Sequence, residues 1–204
     1  IVAPVRRELA EIADESAGRA LEIEGRKVDF RAVDPRQVTT DAATFQFKSG
    51  GDAAGVTDRL RGVTRWDPVS AGKAIVFERA DGQMVIADGH QRLGLAQRVA
   101  AEGQDAKLDA YVFREADGWT PEDVRAYAAL KNMRESSGTS VDMAQVMRDW
   151  PDLIDGSLPL TDAKLRDAAM LARLSPEAFD AVVAGRLPPP FAALIGESVA
   201  DASR

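Results

Sequence analysis

Apolar and polar positions recur with two different periods along this chain, and the change of period organises it. RKVDFRAV (26–33) alternates Val28, Phe30 and Ala32 against charged neighbours, which predicts a strand with one buried face. DPRQV (34–38) breaks it. Residues 39–57, containing KSGGDAAG, are polar and glycine-bearing and are expected to form a long loop. VTDRLRGV (56–63) fits a short helix, and TRWDPVSAGK (64–73) fits a turn. AIVFER and MVIAD then flank ADGQ, so two β-rich runs around Asp81-Gly82 predict a hairpin. From there GHQRLGLAQRVAAEGQ spaces Leu93, Ala96, Val99 and Ala100 for one buried helical face and meets a stop at Gly103. LDAYVFRE (108–115) predicts a further strand.

After that the pattern is helical. TPEDVRAYAALKNM has Thr120 as a cap, Pro121 in the first turn, and Glu122 and Asp123 at the positive helix end. SSGTSVDMAQVMRDW breaks at Gly138 and restarts after Thr139 or Ser140, with Val141, Ala144, Met147 and Trp150 as the expected buried stripe. Residues 151–160 read as a linker. The remainder reads as three short helices, one started by Ser175-Pro176-Glu177 and the last set apart by Pro188, Pro189 and Pro190. At the other end, VRRELAEIADESAGRA (5–20) reads as a charged helix or an arm ordered on contact. The order is an α+β domain, a small mixed sheet followed by an all-helical C-terminal region. The expected divisions are an arm over 1–25, a core over 26–135 and a helical region over 136–204.

Composition narrows the chemistry. The chain has 204 residues, 45% of them apolar, which suits one large domain or a domain with an appendage. No run approaches the ~18 apolar residues of a membrane span, so no membrane partner is expected and a cytoplasmic location is. The start turns charged too early for a signal peptide, and its Ile in place of Met suggests a piece of a longer protein. There is no cysteine and one histidine, which removes thiolate and multi-histidine metal sites. A metal would be a hard cation on oxygen, most simply Mg²⁺ carried in with phosphates. The net charge is −7 and no segment is basic overall, which does not favour strong autonomous DNA binding.

Against that background MVIADGHQRLGLAQR (84–98) stands out, because it puts the only histidine, a glycine and an arginine at a strand-to-helix junction. The first amides of a helix have no intrahelical partner and lie at its positive end. Gly89 lets a phosphate approach the backbone, and Arg92 in the first turn has the geometry for bidentate bonds. His90 and Gln91 add donors. The alternative is a plain Asp-Gly turn, capped by Asp88, followed by a surface cation.

A strand, Asp-Gly-His-x-Arg opening a helix, a further strand, a helix ending near an Asn and a helical tail together resemble the ParB/sulfiredoxin-like superfamily. The wording FQFK, VTRWDP…AG, VIADGHQR and LARLSPEAFDAVVAG is most similar to the ParB-like domain of phage and plasmid polyvalent proteins, over roughly residues 28–197. The resemblance implies nucleotide-phosphate binding by Gly89 and Arg92, beside the added donors His90 and Gln91, with Gln91 standing where ParB proteins carry a further Arg. A second ParB box, Glu-Asn-x-Gln-Arg, is matched at KNMRESSGTSVDMA, which implies binding roles for Asn132 and Arg134; Lys131 replaces its acid and Glu135 its Arg. Thr64, Arg65 and Trp66 are base or rim candidates, with Gln46 and Lys48 as weaker ones. The implied cofactor is a nucleoside triphosphate, CTP or ATP, with Mg²⁺. The tail matches the position of ParB's helix-turn-helix but offers only Lys164, Arg166, Arg173 and Arg186 among acids, and reads as a support or a degenerate reader.

Three functions compete. The first is a ParB-like nucleotide-binding module of a mobile-element protein, acting in DNA binding, partition or processing, with DNA met through the full-length protein and a homodimer as the expected assembly. The second is an enzyme on the same site, a Mg²⁺-dependent nuclease or an NTP-using phosphotransferase, with Asp67, Asp88 and Glu135 as candidate acids. The third is a protein-interaction domain whose pocket has decayed.

Overall fold

The structure is a computed structural model that describes residues 19–23, 25–45, 60, 62–135, 137–151, 158 and 161–202. The expected helix over 5–20 falls almost wholly outside the described residues, as do Gln46, Lys48, and most of 56–63 and 151–160. The chain divides into two compact units, Ile1–Arg125 and Ala126–Arg204.

The first unit is built on one six-stranded mixed sheet. Its strands are β1 (Arg19–Ile23), β2 (Arg26–Val33), β3 (Val38–Thr40), β4 (Ala74–Glu78), β5 (Met84–Asp88) and β6 (Leu108–Arg114), in the order β1-β2-β6-β4-β5-β3. β4 runs parallel to β6 and β3 parallel to β5, while β1–β2, β2–β6 and β4–β5 are antiparallel. The β4–β5 hairpin turns where Asp81-Gly82 places it: Gly82 has a φ of +83°, and Arg79 and Gln83 close the ladder across it.

Three stretches differ from the sequence reading. Arg19–Ile23, assigned there to an N-terminal arm, is an edge strand on β2. The stretch expected to be a long loop begins as β3 and a single helical turn, α1 (Ala42–Phe45), with Asp41 accepting from Thr44. The expected 64–73 turn contains α2 (Pro68–Ala71). Elements of three to five residues are too short to show a period, so alternation could not expose them.

One face of the sheet is closed by α3 (His90–Ala101). Leu93, Ala96 and Val99 pack with Ala74, Val76, Ile86, Ala110 and Val112 in one buried cluster. Burial of Leu93 alone is worth about 1.5–3 kcal/mol. On the other face, Phe77 meets Phe45 at 6.1 Å between centroids, and Phe113 meets Trp119 edge-on at 4.8 Å. The Trp119 indole donates to the Lys27 carbonyl at 2.7 Å, which satisfies its one polar atom.

The chain passes into the second unit within α4 (Pro121–Arg134), whose Thr120 accepts from the Asp123 amide while the Asp123 carboxylate accepts from Thr120. The second unit continues with α5 (Ser140–Asp149), α6 (Ala163–Ala172), α7 (Pro176–Val183) and α8 (Pro189–Ala202). Thr139 and Asp142 form a reciprocal capping box at the start of α5. Its buried stripe is Met143, Ala144, Val146 and Met147; Val141 and Trp150, expected in that stripe, are only half-buried. The three helices expected after the linker are α6, α7 and α8, and Pro189 and Pro190 occupy the first turn of the last.

Candidate functional site

The strand-to-helix junction is built by a conformational requirement at Gly89. β5 ends at Asp88, the one buried charged residue among those described, at 7% exposure. The chain then turns through Gly89 at φ +106°, ψ +26°, a left-handed conformation that glycine adopts without a Cβ penalty. α3 starts at His90 with no side-chain cap at Gly89. Its ladder begins with Leu93 N–H donating to the Gly89 carbonyl at 2.9 Å. The amides of His90, Gln91 and Arg92 precede that ladder, at the helix's positive end.

Arg92 turns back along its own helix. Nη2 donates to Asp88 Oδ2 at 2.9 Å, and Nη1 donates to the carbonyls of Lys73 at 2.9 Å and Ala71 at 3.1 Å. One guanidinium thus joins the end of β5 to the α2–β4 turn. The fit is close: a Cβ on Gly89 would lie 2.9 Å from Arg92 Nε and 3.3 Å from the Ala74 methyl. Gly72, also left-handed at φ +63°, leaves the turn that Arg92 holds. The glycine of the motif therefore accommodates the protein's own guanidinium as well as opening the turn.

The remaining predicted residues fall in other places. His90 and Gln91 are half-buried in the first turn of α3, beside Gly89 and Arg92. Thr64 and Arg65 are exposed, and Trp66 is half-buried against the α3 cluster. Gln104 accepts from the Trp66 amide at 3.2 Å and donates to the Thr64 carbonyl at 2.8 Å. That pins the trio to the C-terminal end of α3, a 12-residue helix about 18 Å long, and not to the junction. Arg98 holds the same strap by donating to the carbonyls of Leu60 and Val63.

Asp67 is the N-cap of α2. It accepts from Ser70 Oγ at 2.6 Å and from the Val69 amide at 3.1 Å, and these bonds hold its carboxyl below the usual range. Asn132 and Arg134 lie in the last turn of α4, in the second unit. Asn132 Nδ2 donates to the Ala128 carbonyl at 2.9 Å within its own helix. Glu135 pairs with Lys131 at 2.9 Å. Among the described residues no cluster of three or more His, Asp or Glu side chains is disposed to hold a metal ion. No helix there is long and apolar enough to cross a membrane.

Sequence reasoning missed Lys73. Its carbonyl belongs to the Arg92 clamp, while its amine lies 3.4 Å from the Tyr111 hydroxyl and 4.6 Å from the centroid of the Phe30 ring. The signal was present in Gly72-Lys73 at the head of a strand, but only the pairing of β4 with β6 brings Tyr111 beside it.

No family model matches the chain, and no curated protein matches it. Among solved structures it is similar to the C-terminally truncated chromosome-partitioning protein ParB from Caulobacter crescentus complexed to the centromeric parS site. That likeness has 15% identity and a TM-score of 0.46, over 81% of this chain and 84% of that one. The same protein complexed with CTP-gamma-S matches at 15% identity and a TM-score of 0.35, over 82% of this chain and 92% of that one. Likeness of this degree carries no information about ligand or partner. The fold itself is α+β, a mixed sheet followed by a helical C-terminal region.

Proposed function

We propose that this chain is a ParB-like module that binds a nucleotide through its phosphates at the β5–α3 junction. The observation that carries the reading is Gly89: a left-handed residue between a buried strand and a helix start, in the Asp-Gly-His-Gln-Arg setting that resembles the ParB family. Main-chain donors at a helix start, with the dipole behind them, favour a phosphate. Arg92 holds the turn in shape from behind. The ligand class is a nucleoside triphosphate, CTP or ATP, with Mg²⁺ carried on the phosphates, as the resemblance implies. In a longer mobile-element protein such a module serves DNA binding, partition or processing, as a homodimer in the cytoplasm. The test is equilibrium binding of CTP and ATP, with and without Mg²⁺, to the purified chain. Saturable binding of at least one supports the reading, and no binding of either refutes it.

A second reading has its own observation. The Arg92 guanidinium already has three protein acceptors. A cation so engaged fits a structural clamp in an interaction domain whose pocket has decayed. The enzyme reading is weaker, because its acids are occupied: Asp67 caps α2, Asp88 pairs with Arg92 and Glu135 pairs with Lys131.

A further inference from the structure

We infer that the outward face of α7 and α8 is a docking surface for a partner protein, which it takes as an amphipathic helix with Lys or Arg along the margins of its apolar stripe. The surface lies within the second unit and does not depend on the phosphate seat of the first. α8 is apolar on both of its sides. Ala192, Ala193 and Gly196 form its buried side, and a Cβ on Gly196 would run into the Met170 main chain of α6. Helix geometry puts Phe191, Leu194, Ile195 and Ser198 on the opposite side, at the i, i+3, i+4, i+7 spacing of a packing stripe. There Phe191 is 64%, Leu194 60% and Ile195 47% exposed. The Ser198 hydroxyl donates back to the Leu194 carbonyl at 2.9 Å, so the polar member of the stripe is satisfied within its own helix. Val183, also exposed, ends α7 just ahead of the tight turn into α8, where the amides of Arg186 and Leu187 both donate to the Ala181 carbonyl. A helix that is apolar all round is ordinarily covered all round, and this one is covered on one side.

Charge selects the occupant. Residues 176–202 carry Glu177, Asp180, Glu197 and Asp201 against a single base, Arg186. Glu177, Asp180 and Glu197 are exposed, with Asp180 one turn before Val183 and Glu197 one turn after Leu194. Like charges set against one another oppose association, and opposite charges steer it and fix its register. A second copy of this face would bring acids against acids. A nucleic acid would bring phosphates against them. A helix with basic margins satisfies both demands, because its apolar stripe covers Phe191, Leu194 and Ile195 while its cations meet the surrounding carboxylates.

The experiment titrates the full chain into a fluorescently labelled synthetic amphipathic helix of leucine and lysine, and into its leucine–glutamate twin, and reads anisotropy at fixed ionic strength. Wild type is compared with Leu194→Gln, which removes an apolar anchor, and with Glu197→Lys, which reverses a rim charge. The melting temperature of each protein alone checks the fold. The inference expects saturable binding of the lysine helix, none of the glutamate twin, and a loss of about tenfold for each substitution at an unchanged melting temperature. No binding of the lysine helix by the wild type overturns the inference. Equal binding of both helices overturns the charge argument, and equal binding by wild type and Leu194→Gln overturns the assigned surface. A wild-type dimer in sedimentation that Leu194→Gln dissociates assigns the face to a second copy and overturns the partner. A lower melting temperature for Leu194→Gln shows the stripe covered from within this chain and overturns it as well.

Discussion

At Gly89 two demands coincide, and each can be broken separately. The φ of +106° disfavours any side chain, and the space a Cβ would take is filled by the Arg92 guanidinium. Gly89→Ala is expected to cost about 2 kcal/mol or more, from the left-handed backbone and the displaced guanidinium together, read as a lower urea midpoint. An unchanged midpoint would mean that Arg92 is not where it is described. Arg92→Ala removes the guanidinium that pairs with the buried Asp88 carboxylate and is expected to cost about 3–5 kcal/mol. Arg92→Ala combined with Asp88→Asn is expected to recover part of that loss, because the buried negative charge goes together with its cation. The sequence showed which residues meet at this turn, since Asp, Gly and Arg within five positions of a strand end have few other arrangements. It could not show that Arg92 folds back, because its carbonyl partners on Ala71 and Lys73 lie about twenty positions away and have no side-chain signature.

At the level of elements, legibility followed length and capping. α3, β6 and α4 were readable from a sustained period with a marked start or stop, as in Thr120-Pro121, and the hairpin from two apolar runs around Asp81-Gly82. β1, β3, α1 and α2 were not: each is five residues or fewer and none carries an apolar run like those of the equally short β4 and β5. The stripe of α5 was placed by Val141 and Trp150 at its ends, where a short helix has room to expose them, while Met143 and Val146 took the buried positions. The rim assigned to Thr64, Arg65 and Trp66 shows the same limit: sequence adjacency to α2 gave no hint that Gln104 would hold them at the far end of α3. Within the second unit one glycine is decisive. A Cβ on Gly196 of α8 would run into the main-chain carbonyl of Met170 on α6, and backbone cannot swing away as a side chain can. Gly196→Ala is expected to force the two helices apart, at a cost of about 3 kcal/mol, visible as a lower melting temperature by circular dichroism. Glu197→Ala, at an exposed neighbouring position, serves as the control and should leave it unchanged.

For the whole molecule, carboxylates set the response to acid. Bonds from Arg36 hold Asp34 down to about 2, and bonds from Thr44 lower Asp41. Burial pushes Asp123 up, but its bonds with Thr120 and its pairing with Arg26 win, and its carboxyl is lowered too. A carboxyl depressed on folding leaves the folded state with fewer bound protons than the unfolded state near pH 4. Its stabilisation is therefore complete above the ordinary carboxylate range and is lost as pH falls through the folded value. Calorimetry is expected to find a melting temperature that is flat from pH 7 to 5 and falls between about pH 4 and 2. A rise on acidification in that window would contradict the assignment. These groups are only half-buried, so solvent screens them, each contributes little and added salt weakens the effect.

The central claim is that the turn after Asp88 seats the phosphates of a nucleotide, and thermal stabilisation of the whole chain by CTP and ATP, with and without Mg²⁺, tests it most directly. A ligand that binds only the native state adds about 2.7 kcal/mol at a hundredfold excess over its dissociation constant. The account predicts that at least one triphosphate raises the melting temperature in a saturable, concentration-dependent way, while the bare nucleoside at equal concentration does not. A melting temperature that stays constant across the full panel would contradict it.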